Sequence, residues 1–468
     1  MSSGSLPLAT YHRTQALGEG SFGSVVTVYN DDGEEFAMKL FIPDDEEDND
    51  ETLELGALLE ISILRLLRES NGHVNIVEIA DVQGDYCDDE DEAGAGTSGC
   101  LGMAMPLYPL GSLEQAIDSQ SPLIQKRADK IRISHGILSA VNYLHENGLM
   151  HRDIKASNIM LAQDEENDTI KPVLIDFSLV KIVDGTMFGN SDYSFPPLGE
   201  DEDEPTTHTG QAGTATYMSP EVNDCEPYGL RADLWSVGVV LLELLQKSTL
   251  QAVKASQAES LIQERLQKLP QDKPFPTMVR KLLQRDPEER WTARQCLEHM
   301  STSLFANYDV PPVKTICLKQ ALPFDEDKEE EEENVAPTAG SRDKKTPRKP
   351  PRVDPVVERR RKNIRKLCHE LDCQHPMTLH AANCFCERML ELDDELDDLK
   401  ASQTMLDCVV LAHKVFEVEM LDLNSLEEEY KSFAEWDLDT YRDNESTILM
   451  MMDYCLYPRE LVAGLVDR

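Results

Sequence analysis

The chain is short of basic residues: 45 Lys and Arg stand against 88 Asp and Glu, giving a formal net charge of −43 and a pI of about 4.5. That balance disfavours non-specific binding to nucleic acid or to an anionic membrane surface and favours basic protein partners. Long apolar runs are missing too. None approaches the roughly 20 residues a bilayer span needs, so no membrane association is expected. The eleven cysteines form no paired framework, and their number is odd. The N-terminal MSSGSLPLATYHRT has no apolar signal core. These absences point to a reducing, intracellular setting, cytoplasmic and/or nuclear, with free thiols.

What is present suits a folded protein. At 468 residues, with 40% hydrophobic and 28% charged content, the chain has room for two to three domains and a sizeable core. The acids are concentrated in runs, DDEEDNDE (44–51), DDEDE (88–92), EDEDE (200–204) and DEDKEEEEE from Asp325, which read as solvated, extended loops. Residues 1–306 alternate strand and helix patterns. SVVTVYN and EEFAMKLFI flank DDG, a hairpin signal, and ETLELGALLEISILRLLRES has helical apolar spacing. QKRADKIRISHGILSAVNYLHENG predicts a long amphipathic helix capped by Gly148, and RADLWSVGVVLLELLQK, apolar nearly all round, predicts a buried central helix. Residues 307–363 pass from an acidic run to a Pro-, Lys- and Arg-rich stretch and read as a disordered linker, whose basic cluster 342–366 also fits a nuclear-import signal. Residues 364–468 return to helical spacing and predict a second, all-α domain.

Within the first domain several short motifs suit phosphate chemistry. LGEGSFGSVV places Gly18, Gly20 and Gly23 in a G-x-G-x-x-G-x-V pattern. A dinucleotide fold would need a helix next, but a β-branched strand follows, so the glycines sit at a hairpin tip. There they either serve a plain turn or let backbone N–H groups approach phosphate oxygens. Lys39, in FAMK, emerges from an apolar strand; it either snorkels at an edge or pairs with a carboxylate and binds phosphate. Glu60 interrupts an apolar helix face at LLEISIL and is the candidate partner. In HRDIKASN, Asp153 is suited to accept a hydroxyl proton, Lys155 to stabilise a transferring phosphoryl group, and Asn158 to offer an amide oxygen to a metal. Asp176, in LIDFS at the end of an apolar strand, adds a carboxylate; an amide and a carboxylate together suit Mg²⁺ or Mn²⁺.

In this order and spacing the motifs resemble the eukaryotic protein kinase domain over Tyr11 to Met300. The resemblance implies an α+β fold of two lobes, the first β-rich and the second α-rich, and transfer of the ATP γ-phosphate to protein serine or threonine. It implies that Leu17, Gly18, Gly20, Gly23, Val25, Ala37, Met105 and Pro106 to Tyr108 surround ATP, with Met105 as gatekeeper. Lys39 and Glu60 would form the ion pair, Asp153 the catalytic base, Lys155 the phosphate-stabilising lysine, and Asn158 and Asp176 the metal ligands. Thr214, in GTATYMSPE, would bond near Asp153 and Lys155; Glu221 would pair with Arg290, and Asp233 would hold the catalytic loop. Two departures stand out. Ser178 occupies a position where the family usually has glycine, and serine does not freely adopt positive φ. The segment from Asp176 to Glu221 is long and carries Thr206, Thr207 and Thr209, which a phosphate could pair with Arg152.

The C-terminal helices resemble a cyclin box over Arg365 to Pro458, with Arg388, Lys414 and Glu417 at matching places; Met452 and Asp453 lie at and beside the later acidic contact. Other readings are a generic helical bundle and, from Cys368, Cys373, Cys384, Cys386, His369, His375 and His380, a metal site of poor spacing. The expectation is a Ser/Thr kinase acting on protein substrates, basic ones favoured, and regulated in cis by its cyclin-like domain and by activation-loop phosphate. The alternative is a kinase-fold scaffold whose cyclin-like domain recruits a separate kinase.

Overall fold

The computed structural model describes residues 11–20, 23–41, 55–69, 72–86, 100–164, 169–183, 214–226, 228–250, 255–271, 273–302, 355–371, 373, 376–392 and 398–416, with isolated positions between 426 and 449. The acidic runs, Thr206, Thr207, Thr209, linker residues 307–354, Glu417, Met452 and Asp453 lie outside them.

The small lobe is a five-stranded antiparallel sheet in the order β1-β2-β3-β5-β4. Its strands are β1 (His12–Gly20), β2 (Gly23–Tyr29), β3 (Glu35–Phe41), β4 (Asp81–Tyr86) and β5 (Cys100–Pro106). The DDG signal makes the β2–β3 turn. Gly33 takes φ +78° there, and the Asn30 side chain accepts from the N–H groups of Asp32 and Glu34. Strand periodicity gives the sheet two faces. Val26, Val28, Met38, Leu40 and Ala104 form an apolar cluster on one, which leaves Val25, Ala37 and Lys39 on the other. Helix α1 (Leu55–Glu69) connects β3 to β4, and positions 57 to 64 are buried without a break.

The large lobe is built around α5. Before it come α2 (Leu113–Asp118), α3 (Arg127–Glu146) and a set of short strands, β6 (Leu149–Met150) paired with β9 (Lys181–Ile182) and β7 (Ile159–Asp164) paired with β8 (Thr169–Leu174). Then follow α4 (Pro220–Asn223), α5 (Arg231–Gln246), α6 (Ala255–Gln267), α7 (Pro274–Leu282) and α8 (Ala293–Met300). Local chemistry sets several ends. Ser112 with Gln115 and Thr292 with Gln295 form capping boxes, Pro274 opens α7, and Gly148 follows α3 with φ +71°. Helix α5 is buried from Ala232 to Leu244, as its all-round apolar pattern predicts. A Cβ at Gly238 would lie 2.8 Å from the Leu283 side chain, so the glycine lets the end of α7 approach α5.

Three further helices are described, α9 (Pro355–Glu370), α10 (Pro376–Leu392) and α11 (Asp398–Phe416). Helix α9 corrects the linker boundary, because 355–363 are helical rather than disordered. Their basic side chains give the first half of the helix the composition of a linker, and among the described residues its buried apolar positions, Ile364 and Cys368, come only in the second half, with Leu371 just beyond its end. The buried apolar residues of these helices, among them Phe385, Val409 and Leu411, belong to the same continuous cluster as α1 and the large lobe. Among the described residues no group of three or more His, Cys, Asp or Glu could hold a metal, and no helix is long and apolar enough to cross a membrane.

Candidate active site

Strand register places the small-lobe candidates together. Val25 pairs with Lys39, Lys39 with Met103 and Ala37 with Met105, and such cross-strand partners share a face. Gly18 lies opposite Val25 and Gly20 opposite Gly23; Ser21 and Phe22, at the tip between them, are outside the described residues. Leu17 sits at a register shift in β1 and is 48% exposed. Pro106 ends β5, and Tyr108, half-buried, follows it.

Lys39 does not snorkel. Its Nζ lies 2.8 Å from Glu60 Oε2 and 2.9 Å from Asp176 Oδ1. Burial works to lower its pKa, but the two carboxylates outweigh it and hold the ammonium above its ordinary value. Burial likewise pushes the Asp176 carboxyl up, and Lys39 with the Ser178 hydroxyl brings it down to about 2. Glu60 is 1% exposed and also accepts the Phe177 N–H at 3.0 Å, so it joins α1 to the segment after β8.

The large-lobe candidates converge on Asp153. Lys155 Nζ lies 2.6 Å from Asp153 Oδ2 and donates to Thr214 Oγ1 at 3.1 Å, while the Thr214 N–H donates to Asp153 Oδ1 at 3.3 Å. The Asn158 amide nitrogen donates to the Asp153 carbonyl and to Asp153 Oδ2, both at 3.0 Å, and lies 3.4 Å from Asp176 Oδ2. Two non-glycine residues here hold left-handed backbone, Arg152 at φ +68° and Asp176 at φ +64°. Such conformations persist only where the surroundings over-determine them. For Arg152 those surroundings are clear. Asp233 accepts the N–H groups of His151 and Arg152 at 2.9 Å each, and His145 Nε2 lies 2.9 Å from the same carboxylate.

The model of the protein kinase domain matches residues 11–301, more than half of the chain. The chain belongs to the protein kinase family. Its relatives include kinases, two of them named as serine/threonine-protein kinases. A probable myosin light chain kinase of Dictyostelium discoideum is 30% identical over 51% of this chain and 53% of its own length. Calcium/calmodulin-dependent protein kinase type 1B of Mus musculus is 28% identical over 64% of this chain and 77% of its own. Calcium-dependent protein kinase 25 of Arabidopsis thaliana is 30% identical over 67% and 54%. The chain thus spans about half the length of the first and third of these relatives and three quarters of the second.

Within this kinase fold the buried Arg290 donates to Glu221 at 2.7 and 3.0 Å, the pairing the motifs imply. The family pattern places Asp233 but says nothing of His145, whose contact with it lies 88 residues away in sequence. Glu243 escapes the motif reading as well. It is fully buried and accepts the Tyr217 hydroxyl at 3.2 and 3.1 Å and the Leu250 N–H. Its only local signal is an acid inside an apolar helix, the same signal that marks Glu60. Segment 176–178 departs from the family pattern at Ser178. The left-handed residue of the motif is Asp176, and Ser178 is not among the residues with positive φ. In the C-terminal helices, Lys414 Nζ lies 3.1 Å from Glu445 Oε1. The side chain of Arg388 is outside the described residues.

Proposed function

We propose that the protein transfers the γ-phosphate of ATP to serine and threonine hydroxyls of protein substrates. The observation that supports this most is the cluster around Asp153, in which Lys155, Asn158 and Thr214 fix one carboxylate close to a second, Asp176, that Lys39 holds. Asn158 spends its amide hydrogens on Asp153 and Asp176, which leaves its oxygen as the acceptor. That oxygen and the Asp176 carboxylate form a small set of hard donors that fits Mg²⁺ or Mn²⁺. When bound, the metal neutralises charge on the phosphates. The protein's own residues do the rest. Lys39 binds phosphate from the small lobe. Asp153 orients the attacking hydroxyl and accepts its proton. Lys155, already against Asp153, stabilises charge on the transferred group. Leu17, Val25, Ala37 and Met105 supply the apolar walls, and the chain at Pro106 to Tyr108 the backbone groups, for the adenine.

The test is transfer of labelled γ-phosphate to a basic protein such as histone, comparing the intact chain with Asp153→Asn. Expected is a loss of about 10²–10⁴-fold with ATP binding retained. ATP binding without transfer in the intact chain, together with co-purification of a second kinase, would favour the scaffold reading instead. The net charge of −43 favours basic substrates by complementarity. Placement in the cytoplasm and/or nucleus belongs to the same proposal.

Two layers of control go with this reading. Arg152 donates Nε to the Leu179 carbonyl at 2.7 Å, whereas its buried Nη1 has no hydrogen-bond partner among the described residues. A phosphate on Thr206, Thr207 or Thr209 would satisfy that donor. The second layer is the cyclin-like domain, acting on α1 in cis. Burial of positions 57 to 64 covers every side of a helix with 3.6 residues per turn, and helices α9 to α11 share the apolar cluster of α1. Covering α1 would hold Glu60 toward Lys39. Deleting 355–468 is expected to reduce transfer by at least tenfold; unchanged activity would remove this layer.

A further inference from the structure

The segment 176–178 carries a bond that a glycine at its third position could not make. Ser178 Oγ donates to Asp176 Oδ1 at 2.8 Å, the same oxygen that accepts Lys39 Nζ at 2.9 Å. Between them Phe177 is fully buried, packs edge-on to His151 with ring centroids 4.9 Å apart, and gives its N–H to Glu60. Asp176 meanwhile holds φ +64°, a conformation that needs support from its neighbours.

We propose that Ser178 is a positioning residue that latches Asp176 and Phe177 in the inward arrangement seen here. Turning Asp176 away from Lys39 breaks the hydroxyl–carboxylate bond, which is of the stronger, charge-assisted kind. A second effect comes from the backbone. Glycine at 178 would reach positive φ freely, whereas serine does not, so fewer outward conformations are open to the segment. The latch therefore acts twice, once through Oγ and once through Cβ. It also spares the metal-facing chemistry, since the hydroxyl shares the oxygen already committed to Lys39 and leaves Asp176 Oδ2 on the side of Asn158.

The role of Asp176 in catalysis rests on the phosphoryl-transfer reading, but the latch can be tested without turnover. Hydrogen exchange at the Phe177 amide is measured on the full chain without nucleotide, for wild type, Ser178→Ala, Ser178→Gly and Ser178→Thr. Expected is exchange about tenfold faster in the alanine variant, faster still in the glycine variant, and near wild type in the threonine variant, which keeps the hydroxyl. Amides of α5 serve as the control for global stability and should not change. In the transfer assay the alanine and glycine variants should lose kcat with little change in KM for the protein substrate. Wild-type exchange at Phe177 in both variants overturns the latch, whether or not the chain transfers phosphate. Faster exchange in a chain that transfers none would keep the latch and sink the kinase reading alone.

Discussion

Lys39 and Glu60 meet at 2.8 Å across two elements, β3 and α1, with Glu60 at 1% exposure. An ion pair so deeply buried is poor evidence for stability, because desolvation offsets much of the attraction. Its geometric consequence is clearer. Lys39 reaches Asp176 while α1 holds Glu60 beside it, so the pair reports where α1 stands relative to the sheet. Lys39→Met is expected to lower kcat/KM by about 10²–10³-fold, the scale of losing one preorganised cation. Glu60→Gln keeps the shape and the bond to the Phe177 N–H but leaves Lys39 to Asp176 alone; a loss of about tenfold or more is expected. Steady-state kinetics, with circular dichroism to verify folding, decide this. Wild-type turnover in the glutamine variant would detach the pair from catalysis.

Arg290 and Glu221 make a different prediction. Both are buried and doubly bonded, and Arg290 also donates to the carbonyls of Gln284 and Arg231. Here removal of one partner leaves the other charged and unsatisfied. Arg290→Ala is expected to cost about 3–5 kcal/mol, and Glu221→Gln, which retains an acceptor, less. In thermal unfolding the alanine variant should melt many degrees lower. A double substitution of both residues by apolar ones should recover part of the loss. If the two single losses simply add in the double variant, the pair is not coupled and this account fails.

Much of this was legible in the sequence because the informative signals are local. Strand alternation around Lys39, the turn at DDG and the order of glycine, lysine and aspartate motifs each span a few residues, and the site assembles from them. Glu60 was legible because a carboxylate in a run of leucine and isoleucine has to find a partner. What escaped depends on which elements meet. His145 on α3 touches Asp233 on α5, and Tyr217 touches Glu243 across 26 residues; no periodicity encodes those meetings. Helix α9 is obscured for another reason: its arginines and lysines give 355–363 the composition of a linker, and among the described residues its buried apolar positions begin only at Ile364. Ser178 was noticed for the conformation it would resist, whereas its hydroxyl bond emerges only from the position of Asp176.

Glu243 yields a prediction in pH. Burial raises its pKa to about 7, only partly offset by the Leu250 N–H, the Tyr217 hydroxyl and the nearby Arg265. In the unfolded chain the same group titrates in the ordinary carboxylate range, near 4.3. Between those values the folded state binds a proton that the unfolded state does not. Its contribution to stability is therefore complete below about pH 4 and is lost as pH rises through about 7. Glutamine mimics the protonated acid and does not titrate. Wild type and Glu243→Gln should be matched only near pH 4, and between pH 5.5 and pH 8 the lead of the glutamine variant in urea unfolding should grow by about 2 kcal/mol. Comparing the two chains cancels the titration of the many other acids. The effect should reach the active site, because the Tyr217 N–H donates to the Thr214 carbonyl at 2.8 Å and Thr214 contacts Asp153 and Lys155. Raising the pH then loosens the support under Thr214 in wild type, and the glutamine variant should resist it. A gap between the two chains that stays constant from pH 5.5 to 8 would mean that Glu243 does not titrate there, and that its bonds to Tyr217 and Leu250 compensate for its burial in full.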